Sequence, residues 1–196
     1  IPQLFHVSTG TMQLTLNLFM LVSGISQLFF GPLTDWLGRK PITLLATVLF
    51  TIGIVICEHA HNIQWLITGR IIQAVGSCGM MVLALAIARD HFEGRELTKS
   101  YSFLNAVISL SPMLAPFIGS YLDLRYGWQA TFEALLAISA ATCLLYFPLL
   151  KESWPHSKRQ AVSSRLITDY VIIAKEPGFY LYTLGAAMGL SYLFIF

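Results

Sequence analysis

Charge is what this sequence has least of. Only 11% of its 196 residues are Asp, Glu, Lys or Arg, and 56% are hydrophobic. A soluble domain carries about 25% charged and about 45–50% apolar residues. With a mean hydropathy of +0.67, the chain is too poor in polar groups to cover a water-facing surface, which points to a membrane protein. Its formal net charge of +2 is too small to argue for a nucleic-acid partner. Cysteine is scarce as well: Cys57, Cys78 and Cys143 all lie in apolar runs. Three such residues form no disulfide framework or paired-cysteine metal site and read as small buried hydrophobes.

Other absences narrow the function. The chain opens on Ile1 without a basic stretch and cleavage site, so no signal peptide is expected. It stops at Phe196 inside an apolar run, and both ends read as cut from a longer protein. There is no HExxH, no GxSxG and no pair of intramembrane aspartates, and "VGSCG" around Ser77 has the wrong spacing for a nucleophile elbow. His59 and His61 in "CEHAH" lack further nearby ligands and read as loop residues rather than a metal site. No catalytic residue, metal or organic cofactor is expected, and the chain is read as a non-enzyme.

What is present is a series of long apolar runs. A span needs about 20 mostly apolar residues to cross about 30 Å of hydrocarbon. Residues 12–33, 41–57, 63–88, 101–122 and 128–150 meet that test, and a further run starts near Phe179. Backbone groups in lipid must be satisfied internally, so these spans are predicted to be helices. The chain divides into a bundle over 1–150, a linker over 151–178 and the start of a second bundle at 179–196. Within the linker, Leu166, Tyr170 and Ile173 fall at helical spacing. They suit either an amphipathic surface helix or a plain connector.

The bases alternate strictly along the connections. Arg39 and Lys40 follow the first span; Arg89, Arg95 and Lys99 follow the third; Lys151, Lys158, Arg159, Arg165 and Lys175 follow the fifth. The intervening connections hold only Arg125. The basic connections are therefore expected on the cytoplasmic side.

Small and polar stripes are expected to mark protein-facing sides, because lipid supplies no hydrophobic drive between helices. The first span offers Gln13, Asn17, Gly24, Gln27 and Gly31. The fourth offers Asn105, Ser109, Pro112, Pro116 and Gly119, and the fifth Ala130, Ala134, Ala137 and Ala141. In the third, Arg70, Gln73 and Ser77 align. An arginine inside a span is a functional-site hypothesis by default. Arg70 stands about 10 Å of helix rise from the outer end, so it either snorkels outward or lies buried beside a cavity. Glu133 is either a partly solvated acid or, if buried, a group able to carry a proton. Pro112 and Pro116 predict a bend and a smooth face for close helix contact.

These residues strongly resemble the major facilitator superfamily, and within it the drug:H+ antiporters. "GPLTDWLGRKP" (31–41) looks like the signature of the cytoplasmic loop between that fold's second and third helices, with Gly31, Leu33, Asp35, Gly38, Arg39 and Lys40 in the marked positions. "RIIQAVG" resembles the fourth-helix motif through Arg70 and Gln73, with Ala74 where glycine is usual. "APFIGS" resembles the fifth-helix antiporter motif, with Ala115-Pro116 and Gly119-Ser120 in place of Gly-Pro and Gly-Gly. The wording of "QLTLNLFML", "SQLFFGP", "IARDHF", "SPMLAP" and "YGWQATF" is most similar to the bicyclomycin/chloramphenicol-resistance branch.

The resemblance implies an all-α membrane protein of the major facilitator fold, a fragment covering helices two to six and the start of seven of a twelve-helix transporter. It implies proton-coupled efflux of amphipathic small molecules across the bacterial inner membrane by alternating access, driven by the proton gradient. Asp35 would latch the two halves, the missing C-terminal half supplying its partner. Arg39 would join a charge relay with Asp90, which ends helix four, and Gly31, Gly38 and Lys40 would complete the gate. Arg70, Gln73 and Glu133 would line the cavity and couple protons. Pro112, Ala115, Pro116 and Gly119 would form the antiporter hinge. A symporter, a dedicated metabolite or siderophore exporter, or a non-functional truncated remnant are the other readings of the same residues.

Overall fold

The computed structural model describes residues 9–149, 170, 172–173 and 175–195. The described elements are all helical: α1 (Thr9–Leu37), α2 (Arg39–Glu58), α3 (Ile63–His91), α4 (Gly94–Tyr126), α5 (Gln129–Leu149) and α6 (Pro177–Ile195). Five of them, α1 to α5, are long and apolar enough to cross a membrane. The chain forms two compact units, residues 1–159 and 160–196. Most of the segment around Leu166 lies outside the described residues.

Helices α1 to α4 overrun their apolar runs. The clearest case is "GPLTDWLGRKP", expected as a loop. α1 continues through Pro32 to Leu37, only Gly38 separates it from α2, and Pro41 is the third residue of α2. Proline is tolerated in a first helical turn, where the backbone donors have no intrahelical partner. Gly38 makes the turn at φ 102°, a region that side chains with a Cβ avoid. Its N–H reaches back to the Thr34 carbonyl at 3.0 Å. At the opposite end of the bundle the Asn62 side chain caps α3 by accepting from Trp65 N at 2.9 Å. Gly127, at φ 88°, turns α4 into α5.

In the first unit α3 lies between α1 and α2 and packs most closely on α2, while α5 packs against α2. The α2–α3 interface is built on backbone contact. A Cβ on Gly53 would stand 2.5 Å from Gln73 N, and one on Gly76 would stand 2.6 Å from the Ala46 carbonyl oxygen. Two apolar clusters fill the bundle. Near the Asn62 end are Ile54, Cys57, Leu66, Trp128 and Phe132; near the Gly38 end are Phe30, Ile42, Ala46, Cys78 and Leu83. Cys57 and Cys78 are buried free thiols and Cys143 is half-buried.

α4 is different. None of its residues is buried. Clefts of about 740 and 340 Å³ open along it, and Phe103, Phe117 and Leu124 are exposed. The expectation that small and polar stripes face protein holds for α3, where Gln73 is buried and Arg70 and Ser77 are half-buried. It does not hold inside this unit for α1 or α4. Gln13, Asn17, Gly24 and Gln27 are exposed, as are Asn105, Ser109, Ala115 and Pro116, with Pro112 and Gly119 half-buried. Among the described residues, nothing approaches the Cβ positions of Gly24, Gly31 or Gly119 within 4 Å. The alanine face of α5 is covered only at Ala130 and Ala134. In the second unit, α6 begins at Pro177, and Phe179 meets Tyr180 edge-on at 5.7 Å.

Candidate functional site

Two arginines organise the unit, Arg39 buried near the Gly38 turn and Arg70 half-buried towards the other end. Arg39 opens α2 directly after the Gly38 turn, so its side chain folds back over the last turn of α1. Its Nη1 donates to Asp35 Oδ1 at 2.7 Å and to the Thr34 hydroxyl at 2.7 Å, and its Nε donates to Asp90 Oδ2 at 2.9 Å. The structure thus brings together Asp35, Arg39 and Asp90, from α1, α2 and α3. The two acids differ in setting: the Asp90 side chain is 10% exposed, that of Asp35 54%. A pair facing water is cheap to break, and a buried one is not. One guanidinium therefore pairs with a largely buried acid and with a half-exposed one. Gly38 serves this site by its backbone angle. Gly31, expected to complete the gate, has open space within this unit.

Arg70, in the membrane-spanning part of α3, meets no acid at salt-bridge distance among the described residues. Its Nη1 donates to Gln73 Oε1 at 3.1 Å. The guanidinium carbon lies 5.2 Å from the Phe132 ring centroid and 6.0 Å from that of Phe19. Aromatic faces attract a cation, and the attraction grows when water is excluded. Gln73 is 2% exposed, and the close approach of Gly53 to its backbone fixes where it stands. Ala74, in a place where glycine is usual, is fully buried; the backbone contact is supplied two residues on by Gly76. Arg70 also borders the cleft of about 340 Å³, whose lining includes Thr15, Ser120, Asp123 and Trp128.

Glu133 does not join this group. It is exposed on α5, while its neighbour Phe132 turns inward to Arg70. One residue along a helix is a rotation of about 100°, so only one of the two can face Arg70. Pro112, Ala115, Pro116 and Gly119 lie along α4, apart from both arginines' hydrogen bonds.

Several participants were not singled out from sequence. Phe19 and Phe132 were two apolar residues among many, with no local signal. Thr34 sits inside the loop signature without being marked. Thr43, Thr47 and Thr51 follow Arg39 at steps of four, each hydroxyl donating to the carbonyl one turn back at 2.8 Å. Thr51 and Ser139 then share a 2.6 Å hydrogen bond between α2 and α5. That four-residue spacing was a readable signal.

With five spanning helices, the chain is a multi-pass membrane protein. The profile of the Major Facilitator Superfamily matches residues 1–196, and the chain belongs to that family of transporters. It is 32% identical over 200 residues to a chloramphenicol resistance protein of Pseudomonas aeruginosa, spanning 100% of this chain and 46% of that protein. It is 33% identical over 150 residues to multidrug resistance protein MdtL of Citrobacter koseri, spanning 76% of this chain and 38% of the relative. Multidrug resistance protein D of Escherichia coli is 31% identical over 186 residues, spanning 95% of this chain and 46% of that protein. The chain spans less than half the length of each of these relatives.

Proposed function

We propose that this chain is the first bundle, central linker and opening of the second bundle of a proton-coupled antiporter. Its cargo is drugs or other small amphipathic molecules, exported across the bacterial inner membrane. The bundle occupies 1–150, the cytoplasmic linker 151–178, and the second bundle starts at 179. Export of toxic compounds is supported by the names of the relatives. Alternating access is supported by one observation above all, the Arg39 guanidinium shared between exposed Asp35 and buried Asp90. A gate that opens every cycle needs one contact that breaks easily beside one that does not.

In this reading the Arg39 end faces the cytoplasm, consistent with the bases gathered there. Arg70 and Gln73 border the pathway, with Arg70 a fixed positive charge beside the cleft. The α4 face carrying Pro112, Ala115, Pro116 and Gly119 meets the other half of the transporter. The proton gradient is the energy source, and no cofactor takes part. A second reading, a symporter or dedicated metabolite exporter, is favoured only by Ala115 and Ser120 standing where the antiporter motif has glycines.

The test is the full-length gene in a pump-deficient bacterial host, scored on a drug panel. Inverted vesicles should also release protons when drug is added. Lowered susceptibility with drug-dependent proton release supports the reading. Resistance unchanged across the panel, or drug flux indifferent to the pH gradient, would overturn it.

A further inference from the structure

We propose that Thr34 is a positioning residue of the gate, a neutral holder that keeps Arg39 in place while Asp35 lets go. This rests on the gating role proposed above for Asp35. Thr34 is 1% exposed, and its hydroxyl is used twice: it donates to the Gly31 carbonyl at 2.7 Å and accepts from Arg39 Nη1 at 2.7 Å. The first bond orients the oxygen lone pairs towards the guanidinium. Its own carbonyl accepts Gly38 N, so the same residue also anchors the turn that launches Arg39.

The geometry divides Arg39 into two edges. Nε belongs to Asp90; Nη1 is shared between Thr34 and Asp35. When exposed Asp35 turns away to another partner, Nη1 keeps the Thr34 oxygen. The guanidinium does not rotate, and its bond to Asp90 is undisturbed. Water takes the N–H that Asp35 vacates on its exposed side, whereas the N–H aimed at buried Thr34 would, without the hydroxyl, carry the desolvation penalty of a charged group. A hydroxyl suits this task better than a third carboxylate. It accepts a hydrogen bond without adding charge, so it does not compete with Asp35 for the cation at long range. Thr34 therefore makes release and recapture of Asp35 a local event, which sets how fast the gate cycles rather than how tightly drug binds.

The experiment uses the full-length transporter, purified and reconstituted, with Thr34→Val and Thr34→Ser. Valine keeps the branched shape and removes the oxygen; serine keeps the oxygen. Transport turnover and KM are measured, together with exchange between inward- and outward-open states followed by fluorescent labels on the cytoplasmic side. Thr34→Val should slow exchange and turnover by about five- to thirtyfold, the scale of one hydrogen bond to a charged group, with KM unchanged. Thr34→Ser should stay within about twofold of the parent, because the acceptor is retained. On an Arg39→Ala background, Thr34→Val should have no further effect, since residues acting through one another are not additive. Parent-like exchange in Thr34→Val, equal losses in both variants, or an undiminished loss without Arg39 would each overturn the proposal. The label exchange needs no substrate, so a parent protein that moves no drug overturns the proposed function without deciding the role of Thr34.

Discussion

The α2–α3 interface and the α4 face are opposite answers to the same small-residue pattern. Both carry small residues at helical spacing, although α4 is less apolar than α2 or α3. At α2–α3 the glycines are used: backbone touches backbone at Gly53 and Gly76, and Arg39 ties α2 to Asp90 of α3. At α4 nothing comes within 4 Å of a Cβ built on Gly119, and not one residue is buried. A small-residue stripe therefore says that a helix can be approached closely, not that it has been. One interface is completed within this unit, and the other is a prepared surface that the unit itself does not cover.

That contrast can be broken by substitution. The largest expected effect is at Asp90. Asp90→Ala leaves Arg39 buried without its main acid and should cost about 3–5 kcal/mol, the usual penalty for removing one partner of a buried pair. Thermal unfolding of the full-length protein in detergent would read it; a loss below about 1 kcal/mol would place this pair with exposed ones. Next is Gly76→Ala, whose new Cβ strikes the backbone of Phe50 and Ala46. Overpacking of this kind costs about 1–3 kcal/mol, more than the about 1 kcal/mol that alanine gains over glycine in a helix. Gly79→Ala should cost less, because its clashes are with side-chain atoms, the Phe30 ring at 2.5 Å and the Ala46 Cβ at 2.8 Å, rather than with backbone. Equal melting temperatures for the two glycine variants would remove the distinction between backbone and side-chain contact.

Asp35→Asn should alter stability by about 1 kcal/mol or less, as exposed pairs do, yet lower transport turnover more than drug binding. Lost binding with unchanged turnover would argue against a gate. The smallest effect belongs to Gly119→Ala. With nothing within 4 Å of the new Cβ, it should leave melting unchanged or raise it by up to about 1 kcal/mol. If α4 meets the other half during transport, the same variant should still slow turnover. A neutral result in both measurements would mean that α4 is a lipid-facing helix and nothing more.

Much of the fold was legible because lipid leaves few choices. Residues without hydrogen-bonding solvent form helices, and the runs of apolar residues located their ends to within seven positions. The ends were harder. Helices ran beyond the apolar core, through Pro32 and up to Tyr126, because a helix can continue into water wherever its own hydrogen bonds are satisfied. Of the site, Asp35, Arg39, Asp90, Arg70 and Gln73 were legible, the first three from a loop signature and the helix end it implies. For Glu133 the sequence left a solvated and a buried reading open, since a charge on a helix does not announce which way it faces; within this unit it is exposed.

By itself, the sequence determined the number of spans, the sidedness expected from the bases and the family. These follow from residue counts and from motifs read along one dimension. Only the tertiary structure decided which glycines are in contact and which acid of Arg39 is buried. It alone brought Phe19 and Phe132 to Arg70 across helices. The physical reason is that burial, and hence the strength of a charge pair or the cost of a methyl group, is set by neighbours distant in sequence.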